Sequence, residues 1–347
     1  MLTSHGARLE LLLLKKRLSV KLLLPDDVIE LILERLPVMS LLRFKSVSKK
    51  WKSTVEDRRF QERQLLCRKQ SRGPDFLFMS LQIVYNMWFR SLCWSICHGS
   101  CDSLVCLYDT RVGVVVANPA TRWYQTFPLA RIQHYMSRHG VSVSPSPKLG
   151  FGKDKLNGTY KPVFLYNSFG FGLDNVTTCE VFDVSTNAWR YVHPASLYRI
   201  NAYNNPKIYL SFDLHNQTFQ VICKAPIAHV CDPSSVSMCI LDNSLFVSEN
   251  NWSTLEIWSL DCSRGNTKTW KKMCSVGLIK RVSFFRECAL LPIAILDKTK
   301  LLLEGHECTH QLVMHVLHTI NDEILYRSKK PIDSFCYIQS LFSALSN

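Results

Sequence analysis

The chain has 347 residues, 47 % of them apolar and 20 % charged, a globular balance that excludes wholesale disorder. Its longest unbroken apolar run, Cys288 to Leu296, is nine residues long and contains a proline, whereas a membrane-spanning helix needs roughly 20. The formal net charge of +14 is concentrated at the start, where residues 1–72 hold 17 basic and 8 acidic side chains.

Aromatic residues run the other way. Only Phe44, Trp51 and Phe60 precede residue 73, and 35 aromatics follow it. The two regimes meet at Ser71-Arg72-Gly73-Pro74-Asp75, whose Gly-Pro pair signals a loop. A small basic module ahead of a large aromatic-rich domain is therefore expected. The 14 cysteines are irregularly spaced and too sparse for a disulfide scaffold. Leu11 to Leu14 is cut off by Lys15-Lys16-Arg17, too short for the core of a secretory leader. The expected setting is intracellular, cytoplasm or nucleus, with reduced thiols and no membrane association.

Residues 1–21 give no clear element and stand apart as an extension. From Leu24 the reading is helical. Pro25 suits a first helical turn, where its missing N–H costs nothing, and Asp26, Asp27 and Glu30 oppose the positive end of the helix dipole. Val28, Leu31, Ile32 and Leu36 recur at helical spacing and define one apolar face, and Pro37 stops the helix. A second helix is predicted over Val38 to Phe44, and a third, capped by Ser48, carries Trp51 and Val55. Three short helices enclose little volume. Leu24, Leu36, Leu41, Leu42, Val47 and Trp51 exceed what they can bury, and each contributes roughly 1.5–3 kcal/mol when covered. The large domain or a partner must cover some of them, which makes this a helical docking face.

The string Leu24-Pro25 … Ile32-Leu33-x-Arg35-Leu36-Pro37-Val38-x-Ser40-Leu41-Leu42-Arg43-Phe44-x-x-Val47-Ser48-Lys49-x-Trp51 resembles an F-box, over residues 22–65. The resemblance implies docking on the Skp-type adaptor of a cullin–RING ubiquitin ligase. It further implies that Leu24, Pro25, Leu36, Pro37, Leu41, Leu42, Val47 and Trp51 face or shape that interface. Residues 66–76 read as a linker and 77–347 as the second domain.

Beyond residue 76 the pattern is β. The runs starting at Val112, Lys161, Cys179, Lys207 and Ser244 are rich in β-branched and aromatic residues and too short for helices, and no long helical pattern separates them. One phrase recurs, an apolar strand, a polar turn opened by Asn or Asp, then an aromatic. It runs from Val115 to Trp123, from Val181 to Trp189 and from Leu210 to Phe219. A stretched copy joins Ile257 to Trp270 and a faint one runs from Val316 to Ile324. Asn or Asp suits the turn because its side chain bonds the local backbone. A unit of about 50 residues with about four strands predicts an irregular, kelch-like β-propeller, with a β-sandwich as the alternative.

These phrases also resemble the F-box-associated domain of a large plant family. Ser100-Cys101-Asp102-x-Leu104, Asn118 to Arg122, Gly150-Phe151-Gly152 with Tyr160-Lys161, Glu180 to Asp183 with Trp189-Arg190, Phe212-Asp213 with Phe219, and Glu256-Ile257-Trp258 with Trp270-x-Lys272 occur in that family's order. Two departures stand out. Ser103 replaces the family's usual turn glycine. The segment Leu197 to Tyr209 lacks the family's Asn-Gly hairpin with its following Tyr-Trp, which implies one shortened blade.

No site for chemistry emerges. Gly150-Phe-Gly152 and Gly170-Phe-Gly172 lack the third glycine of a phosphate loop. Cys93, Cys97, Cys101 and Cys106 with His98, and His306-x-Cys308-x-His310, could hold metal. The first set lacks knuckle spacing, with Cys101 and Cys106 expected on opposite strand faces, and the second lacks a fourth ligand. Buried cysteine is the preferred reading of both, with no cofactor and no catalytic residue. Lys15-Lys16-Arg17, Lys49-Lys50 and Arg58-Arg59 read as solvated helix faces, then as complements to an acidic partner, and least as a nucleic-acid site. The expectation is a non-enzymatic substrate-recognition adaptor of a Skp–cullin–F-box ligase that holds a protein substrate of unknown identity. The alternative is a basic β-propeller binding nucleic acid or protein outside ubiquitination.

Overall fold

In the computed structural model the described residues are 24–71, 75–80, 95–109, 113–139, 147–167, 177–192, 208–224, 226–227, 236–241, 244–251, 254–261, 269–277, 291–296, 299–306, 310–316, 322–328 and 332–341. The basic module holds α1 (Asp26–Glu34), α2 (Val38–Phe44), α3 (Lys49–Glu56) and α4 (Arg58–Ser71). Pro25 and Pro37 are the cap residues of α1 and α2, with their fixed φ at −51° and −59°. Ser48 Oγ accepts the Trp51 amide at 3.1 Å and opens α3.

Three helices are expected and a fourth is found. Asp57 Oδ1 accepts the Phe60 amide at 2.9 Å to start α4, which extends to Ser71 while β1 begins at Asp75. Most of the stretch 66–76 is thus taken up by these two elements. Arg63 binds α4 to α1 through Glu30 at 2.7 Å and Glu34 at 2.5 Å. The hydrogen bond to Glu34 is the main cause of the raised pKa of this guanidinium.

The second domain is a succession of antiparallel meanders. Its first sheet is β2 (Ser95–Cys101), β3 (Leu104–Asp109), β4 (Gly113–Asn118) and β5 (Trp123–Thr126). The second is β6 (Lys148–Lys153), β7 (Tyr160–Asn167), β8 (Thr177–Asp183) and β9 (Ala188–Tyr191). The third holds only β10 (Ile208–Asp213) and β11 (Thr218–Lys224) among the described residues. The fourth is β12 (Val236–Leu241), β13 (Ser244–Asn250), β14 (Thr254–Asp261) and β15 (Thr269–Gly277). The fifth is β16 (Leu291–Leu296), β17 (Lys300–His306), β18 (His310–Val316) and β19 (Asp322–Ser328). Finally β1 (Asp75–Ser80) pairs with β20 (Ile332–Tyr337), from Asp75 opposite Tyr337 to Ser80 opposite Ile332.

First strands meet one another, β2 with β6 and β12 with β16, while β20 touches both β2 and β16. Local four-stranded meanders joined through their first strands are blades of a propeller-type array, not the two facing layers of a sandwich. None of the sheets closes on itself. The shortened blade expected from the segment 197–209 falls largely on residues 193–207, which lie outside the described residues.

The recurring phrase is the hairpin between the last two strands of a sheet. Asn118 Oδ1 accepts the Ala120 amide at 3.0 Å, Asp183 Oδ1 the Ser185 amide at 2.9 Å, and Asp213 Oδ1 the His215 amide at 2.8 Å. A residue one or two positions before each aromatic then turns left-handed, with φ of 59° at Arg122, 50° at Asn187 and 56° at Gln217. That turn delivers Trp123, Trp189 and Phe219 to the cores.

The largest core among the described residues lies between the first two sheets and includes Phe127, Phe164, Phe182 and Trp189. It also holds α5 (Arg131–His139), a helix absent from the sequence reading. Its cap comes from another sheet: buried Glu180 on β8 accepts the Arg131 and Ile132 amides at 3.0 and 3.1 Å and the Tyr166 hydroxyl at 2.7 Å. Burial and the Glu180 charge push the Tyr166 pKa far above its ordinary value, so it remains a donor.

The β2–β3 turn carries Asp102 and Ser103 at φ 49° and 73°, the left-handed pair of a tight hairpin that favours glycine. Ser103 is buried, and its hydroxyl has no hydrogen-bond partner among the described residues. Ser103→Gly relieves both faults. Allowing for the extra chain entropy of glycine, a net gain of about 1 kcal/mol is expected in urea unfolding. An unchanged or lower stability would contradict this account.

Candidate docking face

The helical core is built from Leu33, Val38, Leu41, Val55 and Phe60, with Ile29, Leu36, Leu42, Phe44 and Trp51 packed against it. Phe44 and Trp51 meet edge to face at 5.4 Å. Of the residues expected to face or shape an interface, Leu24 and Val47 are 49 % and 60 % exposed, and Pro25 and Pro37 are exposed as well. Leu36, Leu42 and Trp51 are half-buried, while Leu41 is fully buried and can only shape the face from beneath.

From their spacing Val28, Leu31, Ile32 and Leu36 are expected on one apolar face of α1. The structure divides them. Ile29, Leu33 and Leu36 face the core, whereas Val28, Leu31 and Ile32 stand 38 %, 50 % and 47 % exposed on the other side, with Leu24 one turn ahead. A helix apolar on both sides needs cover on both. Met39, 51 % exposed on α2, is a further outward apolar side chain missed by the sequence reading. Its signal was its place beside Val38 at the start of α2, with the core side already taken.

The face is flanked by charge. Lys49, Lys50 and Lys52 are exposed on α3, with Lys50 paired to Asp26. Lys45 meets Glu56 at 2.9 Å, and that hydrogen bond is the main reason the Glu56 carboxyl titrates below its ordinary value.

Cys101 and Cys106 pack on the same core, not on opposite faces, because the Asp102–Ser103 turn resets the strand alternation between them. Burial pushes the Cys101 thiol up to about 11 and those of Cys179 and Cys239 to about 12, so these are inert protonated thiols. Cys97 and His98 lie on β2, and His306 pairs with His310 across β17 and β18. The side chains of these four, together with Cys93 and Cys308, lie outside the described residues. Among the described residues no group of three or more His, Cys, Asp or Glu side chains could hold a metal ion, and no helix is long and apolar enough to cross a membrane.

A helical module with an exposed apolar stripe thus stands ahead of a mainly-β blade array. Comparison with known proteins identifies both parts. Residues 22–63 match the F-box domain and residues 91–211 the F-box associated beta propeller domain. F-box protein At1g11270 of Arabidopsis thaliana is 52 % identical over 291 residues, covering 74 % of this chain and 93 % of that protein. F-box protein At2g34280 of the same plant is 42 % identical, covering 93 % and 100 %. The F-box/LRR-repeat/kelch-repeat protein At1g09650, also from Arabidopsis, is 42 % identical, covering 95 % and 99 %. The chain belongs to the plant F-box proteins that carry an F-box-associated domain.

Proposed function

We propose that this chain is the substrate-recognition subunit of a Skp–cullin–F-box ubiquitin ligase. The α1 stripe of Leu24, Val28, Leu31 and Ile32, with Pro25, Pro37, Met39 and Val47, docks the Skp-type adaptor, and Leu36, Leu41, Leu42 and Trp51 hold that surface in shape. The observation that carries this reading is the exposed apolar side of α1, opposite the side that fills the helical core. Covering six such half-exposed side chains gives on the order of 5–10 kcal/mol gross, against roughly 8 kcal/mol net for micromolar affinity. The α3 lysines add attraction to an acidic adaptor surface and act chiefly on the rate of encounter.

The blade array holds a protein substrate, and the chain itself performs no chemistry. Ubiquitin transfer is accelerated by proximity, because tethering raises the effective concentration of an acceptor lysine. The site of action is intracellular, in keeping with Cys106 and Cys179 held as buried free thiols. The test is adaptor capture by wild type and by Leu24→Ala/Pro25→Ala. The double variant should recover less than about a tenth of the adaptor, since it truncates one end of the stripe. Equal recovery refutes the docking assignment.

A further inference from the structure

The helical module does not complete its own core. Leu341, in the segment that follows β20, is 5 % exposed and sits in the same cluster as Leu33, Val38, Leu41, Val55 and Phe60. Ala120, in the β4–β5 turn of the first sheet, packs against that cluster too. We infer that residues 338–341 are a latch whose Leu341 fills the F-box core, so that the docking face keeps its shape only while this distant segment is seated.

The latch is held at several points. Ser340 is fully buried, and its carbonyl accepts Asn118 Nδ2 at 2.9 Å. The Tyr337 hydroxyl accepts the Ala120 amide at 2.9 Å and donates to Asn118 Oδ1 at 3.1 Å. Asn118, itself fully buried, therefore ties the first sheet to the segment carrying Leu341. Tyr337 ends β20, whose partner β1 begins just after α4. The latch thus leaves the blade array beside the helices it enters.

A second connection runs through α4. Lys69 Nζ meets Asp102 Oδ1 at 2.5 Å, and Asp102 Oδ2 accepts the Tyr160 hydroxyl at 2.7 Å and lies 3.2 Å from Lys153 Nζ. This clamp joins α4 to the first two sheets, but it grips the exposed end of the helix and supplies nothing to the helical core. Leu341 does. Beneath the docking face Leu33 of α1 and Val38 and Leu41 of α2 are fully inward, and Leu341 is the buried member that the blade array adds to their cluster. Withdrawing it opens a cavity under both helices that short, marginal helices cannot close by themselves.

The experiment is hydrogen exchange by mass spectrometry on the full chain as wild type, Leu341→Ala and Leu341→Asp, with adaptor affinity measured on the same samples. Amides of α1, α2 and α3 should exchange about thirtyfold faster or more in Leu341→Ala, the factor that the low end of a buried leucine truncation corresponds to. The effect should be greater in Leu341→Asp. Amides of β13, β14 and β17 should keep their protection, and adaptor affinity should fall at least about tenfold. Unchanged helix exchange in Leu341→Asp overturns the latch, and so does equal acceleration of helices and sheets, which would make Leu341 a general stability residue. The affinity arm rests on the docking reading above. Should wild type bind no adaptor, that reading fails while the exchange arm still decides the latch.

Discussion

Leu31→Asp combined with Ile32→Asp is expected to weaken adaptor binding about a thousandfold or more while the chain still folds. Both side chains are about half exposed and point away from the helical core, so their loss removes little native packing. Their replacement costs α1 chiefly helix propensity, up to about 0.7 kcal/mol each. At an interface the account is different. Centrally placed apolar anchors are worth about 2 kcal/mol or more apiece on truncation, and a carboxylate forced under a partner adds an unpaired buried charge. Two such losses make about 4 kcal/mol, three decades in affinity. Titration calorimetry with the adaptor reads the affinity, and circular dichroism melting reports the fold. Affinity within about threefold of wild type, with an intact melt, would remove α1 from the interface.

The second large effect lies at the seam between the second and third sheets. Asp154→Ala should lower the stability of the domain by about 3–5 kcal/mol, the range for breaking one half of a buried ion pair. Asp154 is buried and accepts Lys161 Nζ at 2.8 Å, the Leu156 and Asn157 amides at 3.1 and 3.2 Å, and Asn157 Nδ2 at 3.2 Å, with His215 Nδ1 at 3.3 Å. Lys161 Nζ also donates to the Leu214 carbonyl at 3.1 Å. The pair therefore fastens the β10–β11 turn to β7. Among the described residues the third sheet is one hairpin, a unit barely stable alone, and β10–β11 leans on Val163 and Val181 through Phe212, Leu214 and Phe219. Without the carboxylate, Lys161 is left nearly buried and unneutralised, and the third sheet should loosen first.

The pH dependence follows from the same contacts. The Lys161 hydrogen bond, with help from the Asn157 and Leu156 amides, outweighs burial and holds the Asp154 carboxyl far below its ordinary 3.8. A depressed native value means that its contribution is complete above the unfolded value and is lost as pH falls through the native one. The stability gap between wild type and Asp154→Ala should accordingly be level from about pH 5 to 7 and narrow below about pH 4. Urea unfolding at several pH values measures it. A gap that widens in acid, or no gap at pH 7, would show that the ion pair does not hold this seam.

Much of the architecture was written in local chemistry. Pro25, Pro37 and Ser48 announce three helix starts, and Asn118, Asp183 and Asp213 announce three hairpins, because a cap or an Asx turn needs only atoms within a few residues. The α4 helix escaped notice because its buried positions include Gln64 and Arg68 beside Phe60 and Leu65, which blurs the apolar period. The α5 helix escaped because its cap, Glu180, lies on β8, one sheet away. Cys101 and Cys106 share a core despite their odd spacing because a two-residue turn lies between them.

By itself, then, the amino-acid order determined that this protein is a basic helical module joined to a repeated β-hairpin domain, since those features depend on spacing along the chain. Tertiary structure alone decided which stripe of α1 is free for a partner. Both stripes are apolar, and only packing against the cluster of Val38, Leu41, Val55, Phe60 and Leu341 selects the one that goes inside. It also decided that a leucine beyond the last strand closes the first module's core, because such a contact depends on where the blade array returns the chain and on no local pattern.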